Sequence, residues 1–243
     1  MTAWIQEWFG SEYYSMLYRH RDCNEAKLFL DNLISFLKLS RQSSVLDCGC
    51  GKGRHSIYLS EKGFDVTGVD ISEKNIEEAK TSEKNNLTFY VHDIRNLLRI
   101  NYYDMALSLF TSFGYFENDS ENEKIIKSMS AAVKPKGWVV LDFMNAVKEM
   151  KELIPYEKFS IDKIGFEIRR KCNAGCIEKE VLISENGKDS FYTERVRIYT
   201  VSDFKSFFSK NKLEIVHLFG DYHLSLYDEN TSDRLIFICR KIL

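Results

Sequence analysis

Three glycines at alternating positions, Gly49, Gly51 and Gly53, form the part of the sequence best able to surround a ligand. They follow the short apolar run Ser44–Asp47 and precede a helix-forming stretch. We therefore expect them in a strand-to-helix turn at the carboxyl edge of a parallel sheet, where open α/β sheets bind ligands. Glycine lets the backbone approach a ligand closely and adopt positive φ. The turn is the predicted ligand-binding loop.

Acidic residues accompany this loop. Asp70 ends the next predicted strand, 21 residues after Gly49, where a carboxylate can accept hydrogen bonds from both hydroxyls of a ribose. Asp93 ends the third strand and is placed to meet the exocyclic amine of an adenine. Dinucleotide folds use G-x-G-x-x-G, whereas this loop is G-x-G-x-G. Asp47, just before the loop, would repel a pyrophosphate but suits an ammonium or sulfonium group. This favours S-adenosylmethionine (SAM) over NAD.

Strands and helices alternate around this loop. A helix is predicted over 22–39, strands at 44–47, 65–70, 87–93, 104–110 and 138–143, and helices at 53–62, 72–84 and 120–134. A turn is predicted at Lys134–Gly137, and a helix at 202–210 with strands at 213–219 and 235–240 follows later. Near-continuous apolar strands between amphipathic helices are typical of a doubly wound, mostly parallel α/β sheet.

The pattern changes after the fifth strand. From about Phe166 to Tyr199 apolar and polar residues alternate, and Asn186-Gly187 is typical of a tight hairpin turn. We therefore predict an antiparallel β-layer inserted into the α/β fold. The sequence contains no repeat and no Pro/Gly-rich linker, so 1–243 is predicted to be a single domain. Its predicted parts are an N-terminal helical lid (1–40), a cofactor-binding core (41–145), the insert (155–200) and a C-terminal part completing the sheet (201–243).

The segment VLDCGCGKGRHSIYLSEKGFDVTGVDIS resembles the first two motifs of class I SAM-dependent methyltransferases. VHDIRNL is similar to their third-strand motif, and LSLFTSFGYFEND and VKPKGWVVLDF are similar to the segments after it. The resemblance spans roughly residues 40–145, and the remainder is more loosely similar to bacterial small-molecule methyltransferases with a β-insert. It implies a Rossmann-like, seven-stranded sheet with an antiparallel last strand. It also implies in-line transfer of a methyl group from SAM to N, O or C of a small molecule, leaving S-adenosylhomocysteine.

The resemblance further implies which residues contact SAM. Gly49, Gly51 and Gly53 would pack against its methionine portion, Asp47 would hold the loop, and Asp70 would bind the ribose. The other implied contacts are Cys50 in the loop, Ile71, Asp93 and Ile94 at the adenine, Leu109 near the methyl donor, and Arg54, Tyr14, Tyr18 and Arg21 as candidates for the cofactor carboxylate.

The catalytic side chains are less sharply defined. Methyl transfer requires alignment more than a dedicated nucleophile, and it requires a general base only if the acceptor is protonated. Tyr115, Tyr222 and His223 are the candidate catalytic residues, with His20 as a further candidate base. The aromatic N-terminus and the insert are expected to cover the pocket and exclude water. The Asn/Asp-Pro-Pro-Tyr motif of amino-methyltransferases acting on adenine or glutamine is absent, which argues against DNA as the acceptor.

Alternative interpretations stay open at this point. Asp70 could be a helix N-cap, Asp93 a turn residue and Arg54 a solvated helix residue, and the N-terminal tyrosines could form a buried helix face. The alternative functions are an RNA or protein methyltransferase, or a catalytically silent SAM-binding module of the same fold. An NAD-dependent oxidoreductase is disfavoured by the glycine spacing. The basic run Arg169–Lys171 is more typical of a solvated strand edge than of an RNA-binding patch.

Composition excludes several other classes. The 243 residues are 44% hydrophobic and 29% charged, which excludes disordered and collagen-like chains. A formal charge of -2 argues against an electrostatic grip on nucleic acid. No signal peptide or membrane-spanning run is visible, and the cysteines lack zinc-site spacing. We predict a cytoplasmic monomer or homodimer with reduced thiols and no metal, DNA or membrane partner. A Cys172–Cys176 disulfide is the alternative for that pair.

Overall fold

Three helices form the N-terminal part of the computed structural model, which describes residues 3–19 and 23–242. They are α1 (Ala3–Phe9), α2 (Glu12–Leu17) and α3 (Cys23–Leu37). Ser11 caps α2, because its side-chain oxygen accepts a hydrogen bond from the backbone N–H of Tyr14. This cap fixes the start of a helix that contributes Tyr14 to the candidate site and ends just before Tyr18.

Strands and helices then alternate along the chain. Their bounds are β1 (Ser44–Cys48), α4 (Arg54–Glu61), β2 (Asp65–Asp70), α5 (Glu73–Lys80), β3 (Leu87–Val91), β4 (Tyr103–Ser108), α6 (Asp119–Ala132) and β5 (Val133–Met144). The following segment contains α7 (Ala146–Lys151), β6 (Tyr156–Ile161), β7 (Ile164–Asn173), β8 (Cys176–Glu185) and β9 (Lys188–Arg197). The chain closes with α8 (Val201–Lys210), β10 (Leu213–Phe219) and β11 (Arg234–Lys241).

Seven strands form the main sheet, in the order β10-β11-β5-β4-β1-β2-β3. Strands β1 to β5 pair in parallel, whereas β11 runs antiparallel to both β5 and β10. The predicted fold class, a doubly wound, mostly parallel sheet with an antiparallel last strand, is confirmed. The chain order reverses between β1 and β4, and the loops leaving these two strands diverge there to open a crevice at the carboxyl edge.

The predicted antiparallel insert is also confirmed. Strands β6, β7, β8 and β9 form a four-stranded antiparallel sheet, called here the insert sheet. Its inward face packs Phe166, Ile168 and Val181 around the fully buried Trp8 of α1. The N-terminal helix therefore has its own hydrophobic contact with the insert sheet, which holds it beside the carboxyl edge of the main sheet.

Helices cover both faces of the main sheet. One core cluster combines α6 and α8 with the sheet, and the other combines α3, α4 and α5 with the opposite face. All five residues of β1 are buried, as expected for a central parallel strand. None of the described helices is both long and apolar enough to span a membrane.

Several element boundaries differ from the sequence predictions. Helix α5 ends at Lys80, because the chain turns over residues 81–84 and then forms a bridge between Lys84 and Leu87. The segment Lys134–Gly137, predicted as a turn, belongs to β5. Helix α7 and strand β6 were not predicted. Strand β6 is a largely exposed edge strand without an apolar alternation, so the period-two signal begins only at β7.

Candidate functional site

The loop between β1 and α4 contains three glycines with positive φ. The angles are 75° at Gly49, 55° at Gly51 and 86° at Gly53. A Cβ at Gly49 would lie 2.7 Å from the Cβ of Ser112, and one at Gly53 would lie 2.6 Å from the Phe89 ring. At Gly51, such a Cβ would have no described atom within 4 Å outside the neighbouring residues. Packing therefore requires glycine at 49 and 53, whereas Gly51 borders open space.

A cavity of about 400 Å³, called here the cofactor cavity, lies beside this loop at the carboxyl edge of the main sheet. Its walls come from α1, α2 and the loops that follow β1, β2, β3 and β4. The predicted site residues that line it are Tyr14, Tyr18, Gly49, Cys50, Gly51, Arg54, Asp70, Ile71, Asp93, Ile94, Leu109 and Tyr115. Residues that are far apart in the sequence thus converge on one space.

Two of the predicted catalytic residues do not line this cavity. The Tyr222 hydroxyl donates a hydrogen bond to Oδ2 of Asp142 at 3.0 Å. His223 is exposed, and its backbone N–H donates to the side chain of Asp221. The geometry therefore gives Tyr222 a structural contact and gives His223 none with the cavity. Arg21 and the candidate base His20 lie outside the described residues.

Asp70 lies on the wall of the cofactor cavity with its carboxylate already anchored. Its Oδ2 accepts the backbone N–H of Gly51 at 2.9 Å, and its Oδ1 accepts that of Ser72 at 2.8 Å. Burial raises the pKa of Asp70, while these hydrogen bonds act in the opposite direction. The side-chain cap of α5 is supplied by Ser72, which accepts the N–H of Asn75. Asp70 therefore joins the glycine loop to the start of α5.

Asp47 lies behind the glycine loop and does not line the cavity. Its side chain is almost fully buried, and its Oδ2 accepts the Ser56 hydroxyl at 2.6 Å. The pKa of Asp47 is raised to about 6, because the effect of burial exceeds the opposing effect of the Ser56 hydrogen bond. The carboxylate therefore ties β1 to α4, and it influences the loop through that helix.

Two basic side chains at the start of α4 face the cofactor cavity. The Arg54 guanidinium stacks over the Phe110 ring at 4.0 Å. His55 is 5% exposed, and its Nε2 has no hydrogen-bond partner among the described residues. Burial, reinforced by the Arg54 charge, lowers the pKa of His55 to about 3. At the start of α4 the cavity wall therefore places the Arg54 cation beside a neutral imidazole whose nitrogen is available to a ligand.

Asp93 lines the cavity but also belongs to an ion-pair network. Both of its carboxylate oxygens contact the guanidinium of Arg95, which also contacts Glu121. Burial would raise the pKa of Asp93, but the hydrogen bonds and charge of Arg95 lower it overall. Its carboxylate is held in one orientation at the edge of the cavity.

Five cysteines are free thiols, namely Cys48, Cys50, Cys172, Cys176 and Cys239. Burial raises the pKa of Cys48 and of Cys50 beside the loop, so neither is an activated nucleophile. Cys172 and Cys176 are unbridged, in agreement with the preferred prediction of reduced thiols. No group of histidine, cysteine, aspartate and glutamate side chains with metal-site geometry occurs among residues 3–19 and 23–242.

The segment after β4 contains two consecutive non-glycine residues with positive φ, 54° at Phe110 and 62° at Thr111. Such backbone is costly and persists only where surrounding contacts hold it. Asp142 accepts the Phe110 N–H through Oδ2 at 2.8 Å and the Thr111 N–H through its backbone carbonyl at 3.1 Å. Arg234 contacts Asp142 Oδ1 at 2.7 Å and donates to the Thr111 hydroxyl at 3.0 Å. A buried ion pair thus holds a strained segment in the cavity wall.

A second cavity of about 230 Å³ lies between this segment, α2, α7 and the insert sheet. It is called here the acceptor cavity, after the role proposed for it below. Five residues line both cavities: Tyr14, Tyr18, Phe110, Thr111 and Tyr115. The charged residues that line the acceptor cavity are Glu149, Arg170, Lys179, Glu194 and Arg234. None of these charged residues is among the site residues predicted from the sequence. The two cavities therefore share a wall, and the second is the more polar of the two in residue type.

The N-terminal helices lie over the cofactor cavity. The Gln6 side chain donates to the Ile71 carbonyl at 3.1 Å, and Asn75 donates to the Phe9 carbonyl at 3.2 Å. The rings of Phe9 and Tyr115 pack edge-on, with their centroids 5.0 Å apart. Hydrogen bonds and aromatic contacts thus join α1 to both the cofactor loops and the shared wall.

Residues 45–137 match the family model described as a methyltransferase domain. The putative methyltransferase YqeM of Bacillus subtilis (strain 168) is 30% identical over 125 residues, which cover 50% of this chain and 50% of that protein. The uncharacterized methyltransferase C1348.04 of Schizosaccharomyces pombe is 34% identical over 104 residues, covering 41% of this chain and 68% of that protein. This chain belongs to the class I SAM-dependent methyltransferases. The family predicted from the sequence is confirmed. The matching segment spans only half the length of YqeM.

The whole chain also has a structural counterpart. The crystal structure of a SAM-dependent methyltransferase from Clostridium acetobutylicum ATCC 824 superposes with a TM-score of 0.81 at 18% identity. The match covers 95% of this chain and 97% of that one, so the shared fold includes the insert sheet as well as the core.

The cofactor cavity fits SAM, the cofactor of this methyltransferase family. Gly51 borders open space where a backbone can receive a ligand, and the buried His55 nitrogen has no described partner. Asp70 offers a carboxylate, and Arg54 offers a cation. Apolar side chains beside them suit an adenine, a group with two flat apolar faces. The donor set of the cavity is therefore compatible with the adenosine and amino-acid parts of the cofactor.

Proposed function

We propose that this methyltransferase moves a methyl group from SAM to N, O or C of a small molecule held in the acceptor cavity. The observation that carries the proposal is the wall shared by the two cavities. A cofactor on one side of Phe110, Thr111 and Tyr115 would have its reactive end next to a separate pocket of about 230 Å³, a size that suits a metabolite.

Cofactor binding is assigned to the residues of the glycine loop and its neighbours. Asp70 would hold the ribose, Gly49 and Gly51 would border the methionine portion, and Arg54 with His55 would face its charged end. When bound, SAM supplies a methyl group on a positively charged sulfur. A lone pair of the acceptor would attack this methyl carbon in line with the carbon–sulfur bond, leaving S-adenosylhomocysteine. The chain itself aligns the two reactants, and such alignment can contribute about 7–11 kcal/mol to lowering the barrier.

Catalysis in this proposal depends on orientation and on exclusion of water. Helices α1 and α2 cover the cofactor cavity, and Tyr18 and Tyr115 line both cavities. These two hydroxyls are the candidates to orient the acceptor through hydrogen bonds. Tyr222 is excluded from that role here because its hydroxyl already donates to Asp142 inside a buried network.

The charge pattern supports a small acceptor over RNA. Each residue of the basic run in β7 has an acidic neighbour: Arg169 contacts Glu167 at 2.6 Å, Arg170 contacts Glu157 at 2.7 Å, and Lys171 contacts Glu178 at 3.3 Å. A run compensated in this way offers little attraction for phosphates. An RNA or protein acceptor, or a silent SAM-binding module, remains an outcome that the experiment must separate.

Calorimetry with SAM and with NADH tests the cofactor assignment, and transfer of a tritium-labelled methyl group into metabolite pools tests the reaction. We expect SAM to bind and D70A to weaken binding at least tenfold, because hydrogen bonds to a carboxylate contribute about 1.5–3 kcal/mol each. The matched control is D65A, which removes an exposed carboxylate at the opposite end of β2. Tight binding of NADH without binding of SAM would refute the assignment of SAM as the cofactor. Methylation of RNA but of no metabolite pool would refute the assignment of a small-molecule acceptor.

A further inference from the structure

A row of charged residues crosses the inward face of the insert sheet. In the strand register Arg170 of β7 pairs with Lys179 of β8, and Lys179 pairs with Glu194 of β9. All three side chains line the acceptor cavity. The insert therefore presents a continuous charged row to the space proposed to hold the methyl acceptor.

This charged row lies between two rows of mainly apolar residues. The row on one side consists of Ile168, Val181 and Tyr192, and the row on the other consists of Cys172, Ile177 and Val196. Lys179 is 7% exposed, at a position where β8 otherwise places isoleucine and valine. Well-packed apolar residues in place of a buried ion pair are often neutral or stabilising. Stability alone therefore does not require charged residues at these positions, and the cavity beside them offers a place for a ligand to meet them.

The N-terminal helices hold the row in place. Nζ of Lys179 donates to the Tyr18 hydroxyl at 2.6 Å and lies 3.6 Å from Oε2 of Glu194. The indole N–H of Trp8 donates to the same Glu194 oxygen at 2.9 Å. Because Tyr18 lines both cavities, the charged row is connected directly to their shared wall.

The charges around the acceptor cavity indicate the sign of its ligand. Each lining cation has a carboxylate partner: Arg170 contacts Glu157, Lys179 contacts Glu194, and Arg234 contacts Asp142. Glu149 also lines the cavity, is exposed, and has no ion-pair partner among the described residues. The lining charge that no ion pair compensates in the described part of the chain is therefore the negative charge of Glu149.

We propose that the charged row and Glu149 form the acceptor-recognition site, and that it takes a small polar molecule bearing an amine. In this assignment Glu149 and Glu194 accept hydrogen bonds from the ligand's ammonium group, and the Lys179–Tyr18 pair contacts its polar remainder. The inference rests on the proposed methyl transfer, and it specifies the chemical class of the acceptor.

Charge-fractionated metabolites test this class. A bacterial metabolite extract is separated on a cation exchanger at acidic pH, which retains amines regardless of the carboxylates that they carry. Each fraction is then incubated with the enzyme and tritium-labelled SAM. We expect label to enter the retained fraction. Label found only in the unretained fraction would overturn the amine assignment and leave the proposed function standing. Label in neither fraction would overturn the proposed function, and this inference with it.

Variants of the recognition site provide the second arm. E149Q and E194Q should each raise the half-saturating amount of the active fraction at least tenfold, with SAM affinity changed less than twofold. The matched control is E180Q, because Glu180 lies next to Lys179 on the opposite face of β8 and contacts Lys171. Glu149 is exposed, so E149Q does not endanger folding. Unchanged half-saturation in both test variants, or an equal change in E180Q, would refute the assignment.

Discussion

The buried ion pair of Arg234 and Asp142 supports the wall between the two cavities, and its removal should be costly. The Asp142 side chain is fully buried and that of Arg234 is 13% exposed, with 2.7 Å between Nε and Oδ1. In R234M the buried carboxylate would lose its counter-ion, which costs about 3–5 kcal/mol. The lost hydrogen bond to Thr111 adds about 1 kcal/mol. We expect R234M to lower the free energy of unfolding by about 4–6 kcal/mol.

The double variant D142N/R234M separates the charge from the packing. Asparagine at 142 retains an oxygen that can accept the Phe110 N–H, but it leaves no buried charge. We therefore expect the double variant to be at least about 2 kcal/mol more stable than R234M. Urea denaturation followed by circular dichroism measures both unfolding free energies. The double variant being as unstable as R234M would refute the role of the charge.

A control on the same strand excludes a general effect of removing arginine from β11. Arg240 stacks over the Trp138 ring at 4.0 Å and has no ion-pair partner among the described residues. R240M should therefore cost only about 1 kcal/mol. If R240M and R234M lose the same stability, the reasoning from the buried pair fails.

Two further predictions concern the glycine loop and the start of α4. G53A should lose about 2–4 kcal/mol of unfolding free energy, because φ is 86° and the new Cβ would lie 2.6 Å from the Phe89 ring. G187A, with φ of 76° in open space, should lose only about 1–2 kcal/mol, and equal losses would contradict the packing argument. Burial and Arg54 lower the pKa of His55 from 6.5 to about 3, so between these values the unfolded chain binds a proton that the folded chain does not. Stability should therefore fall as pH falls from 6.5, by up to about 1.4 kcal/mol per pH unit, and H55Q should show a shallower decline in acid urea titrations. Equal slopes for the two proteins would contradict the buried neutral imidazole.

The cofactor cavity could be anticipated from sequence because its chemistry is local. Gly49, Gly51 and Gly53 form one short turn, and Asp70 ends the following strand, so the topology of a parallel sheet alone brings them to one edge. The structure adds the reason for each glycine. At position 49 the nearby Ser112 leaves no room for a Cβ, so only glycine fits. Ser112 lies in the loop after β4, and the sequence around Gly49 gives no indication that the two residues are close.

The support of the cavity wall could not be anticipated in the same way. Asp142 and Arg234 are 92 residues apart, and their contact depends on the antiparallel pairing of β5 with β11. Without that register, Tyr222 near the carboxyl edge suggests a substrate contact. The structure instead directs its hydroxyl to Asp142, behind Phe110. The positive φ values of Phe110 and Thr111 likewise have no signature in residue type.

The charged row of the insert required the register of three strands. The one indication of it in the sequence is Lys179, which stands between Ile177 and Val181 at a position where the alternation predicts an apolar residue. A lysine at such a position indicates either that the predicted register is wrong or that a charged side chain is buried there. Only the pairing of Lys179 with Arg170 and Glu194 shows that the charge is part of a row.

In the proposed assignment, cofactor recognition and acceptor recognition come from separate parts of this chain. The main sheet supplies Asp70 and the glycine loop, whereas the insert sheet supplies the charged row, and they meet at Tyr18 and the strained segment after β4. Changes within the insert can therefore alter the acceptor without disturbing SAM binding. A change at Tyr18 touches both cavities, so it should affect the binding of both ligands together. This separation explains why E149Q and E194Q are expected to leave SAM affinity intact while D70A is not.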